Sequence, residues 1–385
     1  MIKPFKEKLL LSSPTMHGDE LKYVHEAFDT NWVVPLGKNV DELEKALASY
    51  IGIRDAAAMV SGTSALHCCM KLAGIHQESI VLCSDMTFAA TVNPVSYENG
   101  TQVFIDSERD TWNMDPEALE KALKKYNGKE YPKAAAVVLV HLYGTPAKMN
   151  RIMELCDQYH VPLIEDAAES LGATYMGRQT GSFGKWSAVS FNGNKIITSS
   201  GGGMFLSNEE KAAQKVRFWS TQAKEPEPWY QHKELGYNYR MSNVVAGIGR
   251  GQMLHLDEHI ALKKKIYEQY KKGLEGLPVA MNPYDTDNSV PNFWLSCMTI
   301  NTGESKVRPM DIINRLAEYN AEARPIWKPM HMQPIYEKND YITAGTDNVG
   351  EDIFRRGLCL PSDIKMTTEE QEQVIEIIKS CFQTI

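Results

Sequence analysis

The 385-residue chain has an ordinary composition for a soluble globular protein, with 43% hydrophobic and 23% charged residues. Its formal net charge of −8 gives no sign of a nucleic-acid-binding surface, so an anionic ligand must be met by local groups. No stretch approaches the ~20 apolar residues of a membrane span, and Leu9–Leu11 is too short for a signal-peptide core. We therefore expect neither a nucleic-acid nor a membrane partner.

Seven cysteines are scattered at positions 68, 69, 83, 156, 297, 359 and 381. None of them forms a CxxC pair, and several lie inside apolar runs. Buried free thiols in a reducing compartment explain this pattern best, so we expect a cytoplasmic protein.

The first two-thirds of the chain alternate short apolar runs with helical patterns. Seven runs bounded by turn residues predict strands: Ala56–Val60, Ile80–Cys83, Val103–Ile105, Ala136–Val140, Val161–Ile164, Ala188–Phe191 and Gly203–Leu206. Between them, Asp115-Pro116-Glu117 has the order of a helix N-cap, a first-turn proline and a first-turn acid. This alternation predicts a mostly parallel sheet with helices on both faces.

The pattern changes after residue 241, where one long helix is expected over about residues 242–274. Gly276 and the loop at 282–288 mark a boundary, beyond which we expect a smaller α+β unit. Its expected elements are a strand at Phe293–Met298, a helix at Pro309–Tyr319, a strand at Ala323–Trp327 and a last helix that opens at Thr367 in a capping box with Glu370. The predicted domains are a large α/β domain at 1–250 and a small one at 251–385.

Lys195 has the most informative surroundings in the chain. It follows the predicted strand that ends near Ser190, and the glycine run Gly201–Gly203 comes after it. Upstream, the apolar strand at 161–164 runs into the carboxylates Glu165 and Asp166. A lysine amine near an acid at a strand end suggests a Schiff-base site for pyridoxal phosphate, whose pyridinium nitrogen needs an anionic partner. A solvated loop lysine is the default alternative for any single lysine.

A second candidate site is the tetrapeptide Ser61-Gly62-Thr63-Ser64, which joins a predicted strand to a helix. Free amides at a helix start, together with nearby hydroxyls, can bind an anion. From these four residues alone, a capped turn without a ligand is the more frequent outcome.

Together these motifs resemble the DegT/DnrJ/EryC1/StrS family of nucleotide-sugar aminotransferases, and the resemblance runs through nearly the whole chain. It implies a type I aminotransferase fold: a large domain that binds pyridoxal phosphate on a mostly parallel sheet covered by helices, and a small C-terminal α+β domain. Lys195 would bind the cofactor and move a proton between the amino-acid Cα and the cofactor. Because position 195 is lysine and not histidine, transamination is favoured over the family's dehydratase branch.

The resemblance also implies roles for individual residues. Asp166, rather than Glu165, would be the partner of the pyridinium nitrogen. The other expected cofactor contacts are Thr63, Ser64 and Ser190 at the phosphate, Phe88 stacked on the ring, Glu169 nearby, and Asn238 reaching the phosphate in a neighbouring subunit. Arg240 and His331 are expected to contact substrate. For Phe88 an ordinary core role, and for Arg240 a surface salt bridge, are comparably plausible alternatives.

The same resemblance implies a homodimer with shared active sites and a donor, L-glutamate. The sequence at residues 192–197 and 201–204 resembles that of one branch of the family. This branch aminates C4 of UDP-linked 4-keto-6-deoxy-N-acetyl sugars for bacterial surface glycans, as in bacillosamine synthesis. Many relatives have Gly-Glu-Gly-Gly where this chain has Ser200-Gly201-Gly202-Gly203, which weakens the inference about the sugar. The alternatives are another nucleotide-linked keto sugar, a cyclitol, or a regulatory protein without turnover.

Two further patterns are set aside. His255 and His259 have an i, i+4 spacing that can bind metal, but without further ligands a solvated helix face is favoured and no metal is expected. Gly247–Gly251 resembles a dinucleotide fingerprint only superficially, because no predicted strand precedes it.

Overall fold

The computed structural model describes residues 3–284 and 288–383. Within them the chain forms twelve α-helices. They are α1 Asp19–Asp29, α2 Lys38–Ile51, α3 Gly62–Leu72, α4 Asn93–Tyr97, α5 Pro116–Lys125, α6 Met149–Tyr159, α7 Glu210–Ser220, α8 Asn243–Met253, α9 Leu256–Gly273, α10 Pro309–Glu318, α11 Val349–Arg356 and α12 Thr368–Gln383. None of the described helices is both long and apolar enough to cross a membrane.

The strands of the same residues form three sheets. In chain order they are β1 Asp55–Met59, β2 Ile80–Ser84, β3 Thr101–Ile105, β4 Ala134–Val140, β5 Leu163–Asp166, β6 Thr174–Tyr175, β7 Arg178–Gln179, β8 Trp186–Ser190, β9 Gly203–Ser207, β10 Val279–Met281, β11 Ser289–Val290, β12 Cys297–Ile300, β13 Arg324–Pro325, β14 Tyr341–Ile342 and β15 Gly357–Cys359.

The central sheet has eight strands in the order β1-β9-β8-β5-β4-β2-β3-β14. Only β9 runs antiparallel to its neighbours, β1 and β8. The inner strands are apolar and almost wholly buried, because helices cover both faces of the sheet. All seven strands expected in the first two-thirds of the chain are present, and the prediction of a mostly parallel sheet is confirmed.

The expectation of one continuous helix over 242–274 is wrong. The chain forms α8 and α9, with Leu254 and His255 between them. The glycines of α8 are explained by close packing against α1. A Cβ at Gly251 would lie 2.5 Å from the backbone nitrogen of Glu20, and one at Gly247 would lie 3.1 Å from the backbone of Tyr23. The glycine run therefore permits close contact between the two helices.

The C-terminal part contains a four-stranded antiparallel sheet in the order β10-β12-β15-β13. The expected strand at 293–298 begins only at Cys297, because Phe293 has a positive φ of 58° that breaks the extended chain. The expected capping box is present: Thr367 Oγ1 accepts from the Glu370 amide at 3.1 Å, and Glu370 Oε2 accepts from the Thr367 amide at 2.9 Å. The loop expected at 282–288 lies partly outside the described residues.

Two segments cross the boundary expected at residue 250. Strand β14 leaves the C-terminal part and pairs in parallel with β3, at the edge of the central sheet. In the other direction, Phe5 and Leu9 pack into the C-terminal core, where their amides donate to the carbonyls of Tyr319 and Asn320. The C-terminal part thus contributes a strand to the central sheet, and the N-terminal segment contributes to the C-terminal core.

Six of the seven cysteines are buried free thiols, and Cys381 is half-buried. Cys68 and Cys69 are both buried on α3. Burial raises the pKa of both thiols, as it does for Cys83 and Cys156. They are protonated core residues.

Candidate active site

The carboxyl ends of the parallel strands in the central sheet border a cavity of about 380 Å³. Strand β5 ends there at Asp166 and β8 ends at Ser190, as expected for ligand groups in an α/β sheet. The loop after β1 supplies the start of α3, and two tryptophans from the C-terminal part close the other side. Six predicted site residues line this cavity: Thr63, Phe88, Asp166, Glu169, Ser190 and Lys195.

Lys195 lies between an acid and an aromatic ring. Its Nζ is 3.8 Å from Glu169 Oε1 and 4.2 Å from the centroid of the Trp294 ring, and its side chain is 12% exposed. The Trp294 indole nitrogen donates at 2.7 Å to the carbonyl of Asn194, which holds the ring beneath the amine. The lysine is therefore a positioned group that faces the cavity and not a solvated loop residue.

Asp166 and its neighbour Glu165 belong to separate environments. Asp166 lines the cavity, accepts from Thr91 Oγ1 at 2.7 Å and accepts from the Ala168 amide at 3.0 Å. Burial raises the pKa of Asp166, although these hydrogen bonds and the charge of Lys195 act in the opposite direction. A cation placed beside this carboxylate would stabilise its charged form.

Glu165 points into the protein, where its carboxylate is fully buried. It accepts from His141 Nε2 at 2.7 Å and from the amides of Phe183 and Gly184 at 2.9 and 3.0 Å. The Ala147 amide donates to His141 Nδ1, so the ring proton lies on Nε2. Burial raises the pKa of Glu165, but these hydrogen bonds outweigh it and lower the pKa overall. Glu165 is thus a satisfied structural carboxylate.

The start of α3 lies at one end of the cavity. Gly62 and Thr63 are the first two residues of the helix, so their amides have no intrahelical acceptor. A Cβ at Gly203 would lie 2.3 Å from the Gly62 nitrogen, so only glycine permits the loop after Lys195 to approach so closely. Ser64 does not line the cavity: its amide donates to Ser61 Oγ at 3.0 Å and its hydroxyl accepts from the Ser61 amide at 3.2 Å, which together form a capping box. The capped-turn alternative therefore describes Ser64, whereas Thr63 faces the cavity.

Two tryptophans were not singled out from the sequence. Trp327 donates its indole N–H to Glu169 Oε1 at 3.2 Å, while Glu169 Oε2 accepts from the Tyr143 amide at 2.7 Å. Burial raises the pKa of Glu169, and Lys195 opposes this shift. Phe88, which is 58% exposed, lies 6.3 Å from Trp327 between ring centroids. The only sequence signal for Trp294 and Trp327 was their place in apolar segments of the small unit.

Besides Ser64, three other predicted residues do not line the cavity. Arg240 pairs with Glu44 and donates to the Ala58 carbonyl at 2.9 Å, an internal ion pair that leaves little of its guanidinium for substrate. His331 bonds through Nδ1 to Asp85 at 2.7 Å and stacks on Tyr341 at 3.8 Å. Asn238 is exposed, in a β-bridge with Thr221.

The residues around the cavity fit pyridoxal phosphate. Asp166 is a buried carboxylate that accepts from two neutral donors, Thr91 and Ala168, so a protonated ring nitrogen would supply a positive charge beside it. The α3 amides and the hydroxyls of Thr63 and Ser190 would bind the phosphate, and Phe88 would lie against the ring. Lys195 supplies the amine that this cofactor requires.

Comparison with known proteins gives a family match over residues 14–379, to the DegT/DnrJ/EryC1/StrS aminotransferase family. EpsN of Bacillus subtilis (strain 168), to which pyridoxal phosphate-dependent aminotransferase activity is ascribed, is 49% identical over 98% of this chain and 97% of its own length. GDP-perosamine synthase of Caulobacter vibrioides is 33% identical over 96% of each chain.

A more specific relative matches a shorter part of the chain. The UDP-4-amino-4,6-dideoxy-N-acetyl-beta-L-altrosamine transaminase of Campylobacter jejuni is 36% identical over 62% of each chain. The crystal structure of DesI with its TDP-sugar product has a TM-score of 0.89 at 23% identity, over 99% of this chain and 95% of DesI, and so shows the same fold. The chain belongs to the DegT/DnrJ/EryC1/StrS family and is a pyridoxal-phosphate-dependent aminotransferase.

Proposed function

We propose that the enzyme transfers the amino group of L-glutamate to the C4 keto group of a UDP-linked 4-keto-6-deoxy-N-acetyl sugar, for bacterial surface glycan or glycoprotein synthesis. The observation that carries the amino transfer is the Lys195 amine, held in the cavity by Glu169 and Trp294 within the same pocket as Asp166. The choice of acceptor rests on the resemblance around Lys195 and on the altrosamine transaminase relative.

When bound, pyridoxal phosphate supplies an electron sink for the charge that develops at the amino-acid Cα. Asp166 contributes a negative charge at a buried position, and its hydrogen bonds from Thr91 and Ala168 fix the orientation of both carboxylate oxygens. Lys195 Nζ takes a proton from the Cα of the donor amino acid. It gives a proton back when the amino group is passed to the acceptor. The Glu169 carboxylate lies 3.8 Å from that amine and helps to hold it in the cavity.

The entrance of the cavity offers flat apolar surfaces beside these polar groups. Trp327 is half-buried and Phe88 is exposed, and both line the cavity. Aromatic faces of this kind suit the apolar faces of a sugar ring. This arrangement supports a sugar as the second substrate, without distinguishing its stereochemistry.

A GDP-linked 4-keto sugar is the second candidate acceptor. The observation that favours it is the GDP-perosamine synthase relative, which matches 96% of the chain where the UDP-sugar relative matches 62%. Another nucleotide-linked keto sugar or a cyclitol remains the broader alternative. A non-catalytic regulatory role is disfavoured, because a protein that only binds has no need of a positioned Schiff-base lysine.

We also propose a cytoplasmic homodimer with shared sites. Asn238 is exposed on the segment that follows α7, and the same segment carries the exposed side chains of Trp229, Tyr230 and Leu235. Three large apolar side chains exposed on one segment fit a subunit contact. Such a contact would allow Asn238 to reach the phosphate of a partner.

A substrate panel tests the proposal. Purified enzyme, pyridoxal phosphate and L-glutamate would be combined with UDP-, GDP- and dTDP-linked keto sugars, and NMR would locate the amine in each product. We expect the highest kcat/KM with the UDP-linked 4-keto-6-deoxy-N-acetylhexosamine and an amine at C4. Turnover confined to GDP-linked sugars would establish the second candidate, and turnover confined to 3-keto sugars would overturn both.

A further inference from the structure

Three histidines meet where the segment before α1 crosses the start of α9. His17 Nε2 lies 2.8 Å from His259 Nε2, and the His17 ring stacks on His255 with 3.7 Å between centroids. Only His255 and His259 could be paired from their sequence spacing. The fold adds His17, more than 230 positions away, and buries His259, which is 3% exposed and not on a solvated helix face.

His259 has the proton arrangement of a metal ligand. Its Nδ1 bonds at 2.8 Å to the carbonyl of Ile196, and since a carbonyl can only accept, this nitrogen carries the ring proton. The lone pair of His259 therefore lies on Nε2, directed at His17. A ligating histidine commonly donates its other N–H to a backbone carbonyl in this way, which fixes its tautomer and orientation.

His255 is held between two carboxylates. Its Nε2 bonds to Asp19 Oδ2 at 2.9 Å, and its Nδ1 lies 3.1 Å from Glu258 Oε2. One ligand atom from each of His17, His255 and Glu258 lies within 4.8 Å of the others. In a tetrahedral zinc site with bonds near 2.0 Å, the ligand atoms are about 3.3 Å apart. The 2.8 Å pair of His17 and His259 and the 3.1 Å pair of His255 and Glu258 are each close to that spacing. Because the His17 and His255 rings are stacked, one of them must turn before the two pairs surround one ion.

We propose that His17, His255, Glu258 and His259 form a binding site for a divalent transition-metal ion of the zinc class. Imidazole nitrogens with one carboxylate favour Zn²⁺ and its neighbours over Mg²⁺ or Ca²⁺, which prefer oxygen ligands. The ion takes the place of the proton shared by His17 and His259. It joins the segment before α1 to α9 and, through the Ile196 carbonyl, to the residue after Lys195. The site is separate from the amino-transfer chemistry.

Metal uptake by the holoenzyme tests the proposal directly. Tag-free holoenzyme, dialysed against EDTA and then against micromolar Zn²⁺, should retain one equivalent by mass spectrometry of the metal, while Mg²⁺ should not be retained. Co²⁺ in place of Zn²⁺ should give the visible absorption of a tetrahedral site. Zn²⁺ should also raise the Tm, because the ion binds only the folded chain.

His17→Gln is the matched variant, since it removes one ligand without touching Ile196, and Glu258→Gln is a second variant at an exposed position. Each should weaken Zn²⁺ affinity at least tenfold and abolish the Tm shift. The control is His25→Gln, on the exposed face of α1, which should bind Zn²⁺ as the unchanged protein does. Equal Zn²⁺ uptake by the unchanged protein and both ligand variants would overturn the site. Absence of any retained Zn²⁺ in the unchanged protein would overturn it as well.

Discussion

The amine of Lys195 is the group on which the assigned reaction depends. Lys195→Ala should abolish turnover, because no other lysine lines the cavity among the described residues. The holoenzyme should be yellow and lose that visible absorption when L-glutamate is added, whereas the variant should show no such glutamate-dependent change. Lys211→Ala, at an exposed lysine on α7, serves as the control. Full activity of Lys195→Ala without added amine would remove Lys195 from its role.

Asp166→Asn should keep the fold and bind the cofactor but react slowly with glutamate. The amide has nearly the same shape and can still accept from Thr91, yet it carries no charge to stabilise a protonated ring nitrogen. We expect the glutamate half-reaction to slow about 10²–10³-fold, the usual effect of losing one aligned electrostatic group. Stopped-flow absorbance would measure it.

The comparison variant for Asp166 is Glu165→Gln. It should instead lower the Tm, because an NH₂ group would face donors in the buried network around His141. If Asp166→Asn left the half-reaction rate unchanged, another acid would have to be the ring partner.

Lys263 is a buried amine outside the active site. Its Nζ donates to the Ser362 carbonyl at 2.6 Å and to Ser12 Oγ at 3.1 Å. Burial lowers its pKa to about 7, although Asp363 opposes the shift. Between pH 7 and about 10.5 the unfolded chain therefore binds one proton more than the folded chain, so the free energy of unfolding rises with pH.

Lys263→Met should remove this pH dependence. The difference in unfolding free energy between the unchanged protein and the variant should grow by up to about 1.4 kcal/mol per pH unit above pH 7, in favour of the unchanged protein. Urea denaturation of both proteins at pH 7, 8 and 9 would measure it. Parallel pH profiles for the two proteins would show that Lys263 stays charged in the fold.

Part of the site could be predicted from the sequence, whereas the positions of the other residues depend on tertiary packing. Lys195, Asp166 and Ser190 follow strands whose apolar patterns are readable, so their convergence at one sheet edge could be predicted. The capping box that occupies Ser64 and the Glu44 carboxylate that pairs with Arg240 depend on contacts that no local pattern records.

At the scale of elements, the glycines of α8 set how closely two helices can pack. Gly251→Ala should destabilise the protein by about 1–3 kcal/mol, because its Cβ would meet the backbone of Glu20, which cannot rotate away. This exceeds the ~1 kcal/mol that alanine gains in helix propensity. Gly345→Ala, with open space around its Cβ, is the control. An unchanged Tm for Gly251→Ala, measured beside that control, would show that α1 can shift.

The elements also show why strands were predicted better than connections. Apolar runs such as Ala134–Val140 are continuous because both faces of the strand are buried. Such a run can be recognised in the sequence. The break between α8 and α9 occurs at Leu254 and His255, where neither proline nor glycine marks it. Strand β14 has only two residues and was not expected, since its pairing partner β3 lies far away in the chain.

At the scale of the whole molecule, shared sites make a complementation test possible. Lys195→Ala and Asn238→Ala chains would be unfolded together and reassociated. If the two residues act across subunits, each heterodimer has one intact site, so activity should return to as much as half that of the unchanged enzyme per heterodimer. If they act within one subunit, every site keeps a defect.

Two measurements make this experiment decisive. Asn238→Ala alone must be clearly impaired, and tagged chains must demonstrate that subunits have exchanged. With both established, a mixture no more active than its parents would refute shared sites. Asn208→Ala, on the turn before α7, is the matched control and should be as active alone as the unchanged enzyme.

The pairing of β14 with β3 has a consequence for synthesis on the ribosome. Residue 105 leaves the exit tunnel long before residue 342, and at 5–20 residues per second the interval is about 10–50 s. During that time the edge of β3 has no strand beside it, and its free backbone groups can pair with those of another nascent chain. The large sheet is finished only after residue 342 has emerged, so this edge is open to such pairing while translation continues.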